Sequence, residues 1–427
     1  MRARPTRRRV ALALASLAAL SLVIAGCAAD EHVEIDVPAQ VDAAFPEATA
    51  QQLQDAVTHA MTASGASGAI VGVWAPWSGT LVTGLGVDSP AGAEPVTDDM
   101  EFRVAQVTRA MTCDILYQVA EEGLVRINDP VTKWVPGFPD LSDVTLGQLC
   151  DSTSGIGSYG GQLSGLFLSN PARVWNPREL ASYGLGQPRE GEPGKAYRDS
   201  DAGYVLLGVA LERATGRSAA QLVQDYVVDP LDLTATELPA GAAAAPSTTA
   251  PVLNGHYSQR DAAGVMNCTE PSDVTALSAS TGFTDSGAVS NIHDLGRYAQ
   301  ALAAGALDPD GSERFAAPVP VPNAPSWYMT GGGTIRPGSL IGQFGAVPGY
   351  ATAAFSDPAT GLTVAVVLNN SGGGPNFAEQ LALELAAIAS KAPATGAGTA
   401  PEAGLPWTAQ QYHDLIAASA ICTAPPA

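Results

Sequence analysis

The chain has 427 residues, with 21 basic against 42 acidic side chains, and its formal charge is −21. So acidic a chain argues against nucleic acid and anionic lipid headgroups as electrostatic partners. Its length and 46% hydrophobic content are ample for one large core.

The first predicted element is a leader. Arg2, Arg4, Arg7, Arg8 and Arg9 precede an apolar run from Val10 to Ala25, which closes in LVIAGC at Cys27. A basic n-region, a short apolar h-region and small residues before a cysteine predict a lipoprotein-type signal peptide over 1–26, with Cys27 lipidated after cleavage. The run is too short for a comfortable membrane span. TRRRVAL is also similar to a twin-arginine signal, so both Sec and Tat export stay open. The mature chain keeps 16 basic and 42 acidic residues, a net −26. Its expected location is the outer face of the cell membrane, held by the N-terminal lipid through an acidic tether over 27–48.

A folded domain is expected over 49–390. Leu53, Val57 and Met61 mark a helix over 47–63, and two β-branched runs around Pro76-Trp77-Ser78-Gly79 mark a hairpin. The stretch from Phe102 to Gly157 follows, opening on a helix whose stripe is Val104, Val107, Met111, Ile115 and Val119, with Gly123 as its stop. Helical patterns then dominate to Ala303, clearest over Asp201–Gly216 and Gly287–Gly305, the second capped by Ser290 or Asn291. Gly241–Ala250 is low-complexity and reads as a surface loop. Strand character returns at Trp327–Ile335, Gly342–Phe344, Tyr350–Asp357 and Leu362–Asn369, before a closing helix over Asn376–Ser390. Residues 391–427 form a linker and a short tail helix. Strands at both ends of a domain with helices between them predict an α+β architecture.

Cys113, Cys150, Cys268 and Cys422 are an even set in an exported chain, which favours disulfides. Three pairings are open, and Cys113–Cys150 with Cys268–Cys422 is preferred. The five histidines (His32, His59, His256, His293, His413) show no H-E-x-x-H spacing and no C-x-x-C occurs, so neither a metal nor a cofactor is expected.

Phe102-Arg103, Glu121-Glu122-Gly123, Asp129-Pro130-Val131 and Thr153-Ser154-Gly155 together resemble the serine β-lactamase and penicillin-binding-protein family, in its class C, D-Ala-D-Ala carboxypeptidase and esterase branch. The resemblance covers roughly residues 50–390. It implies an antiparallel sheet flanked by helices with a large helical insertion, and a cleft between the two parts.

The same resemblance exposes what has been replaced. The family helix opens Phe-Arg-x-x-Ser-x-x-Lys, but Gln106 stands at the Ser position and Arg109 at the Lys position. An amide is no nucleophile, and a guanidinium stays charged and cannot act as a base. Register slips do not help, because the residues three before Lys133, Lys195 and Lys391 are Pro130, Glu192 and Ile388. At the family's Tyr-x-Asn stand Asp199-Ser200-Asp201, and at its Lys/His-x-Gly stand Gln343-Phe344-Gly345. Because the family's Lys touches its Asn, Arg109 is expected to pair with Asp201, Asp199 or both. The candidate ligand-binding positions are therefore Gln106, Arg109, Asp199, Asp201, Gln343, Phe344 and Gly345, with no catalytic residue expected.

Three functions follow. The first is a lipid-anchored protein that has lost acyl-enzyme chemistry and binds a cell-wall peptide, a small ligand or an envelope partner. The second is an active serine hydrolase (β-lactamase, carboxypeptidase or esterase) using unorthodox residues. The third is a purely structural envelope lipoprotein. Arg109 is also a potential clamp for a ligand carboxylate, if Asp201 leaves it free.

Overall fold

The computed structural model describes residues 32–241, 246, 251–396, 399–401 and 404–422. The predicted signal peptide and Cys27 lie outside them, as does most of Gly241–Ala250.

Both ends of the domain build one eight-stranded sheet. Its strands are β1 (Gly68–Ala75), β2 (Gly79–Gly86), β3 (Val319–Pro320), β4 (Tyr328–Gly331), β5 (Thr334–Pro337), β6 (Ile341–Val347), β7 (Tyr350–Ser356) and β8 (Thr363–Leu368). The order is β2-β1-β8-β7-β6-β5-β4-β3, every neighbouring pair antiparallel. Chain ends pair in the middle through β1 and β8, with Val71 opposite Val366. The uninterrupted apolar run of β8 is what a strand covered on both faces requires. Val364, Val366 and Leu368 enter one core, and Ala365 and Val367 enter the other. Each fully buried Val or Leu contributes roughly 1.5–3 kcal/mol.

Helices α1 (Glu47–Ser64), α7 (Asn376–Ala389) and α8 (Ala409–Ala418) share the first core. The second core holds α2 (Val107–Glu121), α3 (Gly160–Ser169), α4 (Pro177–Leu185), α5 (Asp201–Thr215) and α6 (Ile292–Ala304). The expected α+β architecture is the observed one. Cys113 on α2 pairs with Cys150, and Cys268 pairs with Cys422 just beyond α8.

Four expectations change. Trp327–Ile335 is a hairpin and not one strand, because Gly332 and Gly333 (φ 60° and 80°) turn the chain between β4 and β5. The helical pattern over Gly287–Gly305 becomes a helix only from Ile292, because Val289–Ser290 pairs with Phe102–Arg103, and of the two expected caps Asn291 is the one used, accepting the Asp294 amide at 2.9 Å. From Val33 onward the predicted tether lies along the domain. The Val33 amide donates to Pro230 at 2.8 Å, Thr80 to Ala43 at 2.9 Å, and Phe45 is buried. The predicted linker and tail are likewise fastened, the linker by the Thr395 amide on the Trp77 carbonyl at 2.9 Å and the tail by Trp407 Nε1 on the Leu383 carbonyl at 2.9 Å. Among the described residues no helix is long and apolar enough to cross a membrane.

Candidate functional site

The chain enters α2 through Ala105, whose φ of +51° is a left-handed conformation. For a non-glycine residue that costs roughly 1–2 kcal/mol. Gln106 stands at the N-terminal boundary of α2 without a side-chain capping bond, and Arg109 lies one turn further in. Across from them, Ser200 accepts the Gly203 amide at 3.0 Å and starts α5, so Asp201 occupies its first turn. That end of a helix favours a carboxylate.

Arg109 is buried at 4% exposure, and three of its nitrogens are bound by three different acids. Nη1 donates to Asp199 at 2.6 Å, Nη2 to Asp201 at 2.8 Å and Nε to Asp285 at 2.8 Å. Its guanidinium also lies over the Tyr204 ring, 4.8 Å from the centroid, an arrangement that favours a cation. The anticipated partners are both present. Asp285 was not anticipated; its one sign in the sequence is that it is the only charged residue between Ala276 and Ile292.

One cation among three carboxylates leaves excess negative charge, and the protonation of the acids diverges accordingly. Burial, reinforced by Asp285 and Asp199, pushes Asp201 up to about 7, although Arg109 and the Gly160 amide (2.9 Å) oppose the rise. Burial also raises Asp285, against the pull of Arg109. In Asp199 the effect of burial is outweighed by Arg109 and by the Ser158 and Tyr197 hydroxyls, so its pKa falls. Arg109, which burial alone would weaken as a base, is held above its ordinary value by Asp199, Asp285 and Asp201. It is a permanent cation with no proton to exchange.

Beside this cluster opens a cleft of about 350 Å³, lined by Gln106, Tyr159, Phe167, Asp201, Tyr257, Asp285 and Ser286 among others. Gln106 Oε1 is buried there without a hydrogen-bond partner. A buried acceptor left unpaired costs about 1–3 kcal/mol. Gly345 on β6 makes room for this side chain. A Cβ at 345 would stand 2.6 Å from Gln106 Cδ and 2.7 Å from its Cβ.

Of the seven candidate positions, Gln106 and Asp201 line the cleft, and Gln343 and Phe344 are engaged elsewhere. Gln343 Nε2 donates to the Gly333 carbonyl at 3.0 Å and its Oε1 accepts the Phe344 amide at 2.9 Å, so its amide is used within the backbone. The Phe344 ring packs into the core shared by α1 and α7, because alternate residues of β6 face opposite sides of the sheet. Arg109 does not act as the carboxylate clamp considered above, since three acids already neutralise it.

An antiparallel sheet, a helical part and a cleft at the head of α2 define a class of fold to which the family comparison adds a name. The Beta-lactamase family model matches residues 53–389, and the chain belongs to that family. Among curated proteins it is similar to penicillin-binding protein 4* of Bacillus subtilis, 27% identical over 146 residues, covering 34% of this chain and 32% of that protein. It is also similar to esterase EstB of Burkholderia gladioli, 32% identical over 163 residues, covering 34% of this chain and 40% of that protein. Each match spans well under half of the relative's length. Among solved structures, a D-stereospecific amidohydrolase from Streptomyces superposes with a TM-score of 0.65 at 25% identity, covering 79% of this chain and 97% of that one. A D-amino acid amidase from Ochrobactrum anthropi shares the fold, with a TM-score of 0.65 at 21% identity over 77% of this chain and 92% of that one.

Proposed function

We propose that this protein is an exported, lipid-anchored member of the family, attached through Cys27, that has exchanged acyl transfer for binding. The observation that carries the reading is Arg109. It stands where the family's basic lysine is expected, and every acid that might act as a base beside it is bound to it. With Gln106 in place of the nucleophile, neither half of an activated hydroxyl is present.

The cleft's chemistry narrows the ligand. Gln106 Oε1 is a buried acceptor without a donor, and Asp201 and Asp285 add negative character to the wall. A group carrying N–H bonds, an amide or an ammonium, fits this wall better than a carboxylate does. Tyr159, Phe167 and Tyr257 offer aromatic surface for its apolar part. A cell-wall peptide with free amine or amide groups is the ligand class we favour.

The competing reading, an active hydrolase, has one observation behind it. Ser286 lines the cleft next to Asp285, whose burial raises its pKa. The same Asp285 accepts from Arg109 Nε at 2.8 Å, which ties its lone pairs to a permanent cation. A binding measurement tests the favoured reading. Titration of short peptidoglycan peptides, as free amines and as N-acetylated forms, should show saturable binding that Gln106→Leu weakens by about tenfold, the worth of one hydrogen bond. Equal affinity of the wild type and the variant for both peptide forms would refute the assignment.

A further inference from the structure

On the opposite side of the sheet from the cleft, three side chains from three helices converge. His59 comes from α1, Glu384 from α7 and His413 from α8. The two imidazoles are stacked, with centroids 3.8 Å apart and planes inclined by 20°. His413 Nδ1 lies 3.0 Å from Glu384 Oε1. One donor atom from each residue lies within 4.8 Å of the others.

Two atoms here have no partner. Glu384 is 3% exposed, yet its Oε2 makes no hydrogen bond. His59 Nδ1 is also buried and unpaired. Buried polar atoms in folded proteins are nearly always satisfied, so two orphans in one cluster call for a missing partner. One partner satisfies both, because an imidazole nitrogen and a carboxylate oxygen are each lone-pair donors to a divalent metal.

We propose that His59, Glu384 and His413 bind a divalent transition metal, zinc by the character of the ligands, which fastens α8 to the domain. Two nitrogens and one carboxylate oxygen match the donor preference of zinc, with water completing a tetrahedron. Bonds of about 2.0–2.2 Å require donor atoms closer together than 4.8 Å. Two stacked rings also cannot aim their lone pairs at a common point. One ring must turn, and His413 has the freedom to do so, its side chain being 40% exposed. The histidine spacing carries no sign of such a site because the three ligands come from three separate helices. His413 lies beyond residues 53–389, the part that the family model matches, so the site would belong to this chain's own tail.

Metal-free protein prepared with a chelator should bind one zinc ion per chain by calorimetry. Cobalt(II) should give the intense visible bands of a four-coordinate site. His59→Ala, Glu384→Gln and His413→Ala should each weaken zinc by at least about tenfold and abolish the cobalt bands. His413→Ala alters a part-exposed residue, and circular dichroism will verify that it folds. Zinc should also slow amide exchange over residues 409–418 in the wild type and leave Glu384→Gln unchanged. No zinc uptake at millimolar metal, or equal uptake by the wild type and all three variants, would overturn the proposal and leave a plain histidine–glutamate hydrogen bond.

Discussion

Asp285 Oδ1 accepts from Arg109 Nε at 2.8 Å, with both side chains buried. This contact gives the cleft its present character. Asp199 and Asp201 alone would leave the guanidinium one free edge. Asp285 takes it from the far side and fixes Arg109 between α2, α5 and the Phe283–Ser286 turn. A residue held at three points and over a ring face does not swing to meet a substrate.

Breaking the cluster should be costly. Arg109→Met leaves three carboxylates crowded without a cation, and removing one partner of a buried ion pair typically costs about 3–5 kcal/mol. Urea denaturation should show a loss of that order. Asp199→Asn should cost less, because Asp199 is half-exposed.

The stability should fall as pH rises from about 4 to about 7. Asp201 has a folded pKa near 7, above its ordinary 3.8, so the folded state holds its proton more tightly than the unfolded chain does. Its contribution is full below pH 4 and is lost as pH climbs through 7, at about 1.4 kcal/mol per pKa unit. Glu379, pushed up to about 7 by burial, acts in the same window. Asp199 has the opposite sign: its stabilisation is present above the ordinary carboxylate range and disappears in acid. Urea midpoints between pH 5 and 8 should flatten in Asp201→Asn and flatten further with Glu379→Gln.

The frame of the fold was legible in the sequence, since it rests on periodicity and turn residues. The β8 run, the α2 stripe and the hairpin before Gly79 all signal burial through spacing alone. The Arg109 pairing was also legible, because it replaces a known contact by two opposite charges. Asp285 was not, since nothing local shows which distant acid a buried arginine will recruit. Gln343 and Phe344 were misjudged for a related reason. A strand residue's face depends on register, and its amide can be claimed by its own backbone.

Gly345 and Gln106 should prove to be a coupled pair. Gly345→Ala brings a methyl group against the Gln106 side chain and should cost about 1–3 kcal/mol. Gln106→Ala removes the orphaned oxygen and the amide carbon but keeps its own Cβ, 2.7 Å from the new methyl group, so the double variant should regain only part of that loss. A double-mutant cycle by chemical denaturation measures the coupling directly.

Replacing the nucleophile position alone should not create an enzyme. Gln106→Ser supplies a hydroxyl, but the Arg109 guanidinium is already protonated and cannot take its proton, and Asp199, Asp201 and Asp285 are bound to it. Nitrocefin turnover by Gln106→Ser should stay at the buffer rate.

The most direct test of lost acyl transfer is intact-protein mass spectrometry after incubation with a fluorescent penicillin and with a reactive thioester. An unchanged mass, with no turnover above buffer, is the result this account predicts. A penicilloyl or acyl increment on the wild-type chain would contradict it, and peptide mapping would then show whether Ser286 or another hydroxyl carries the group.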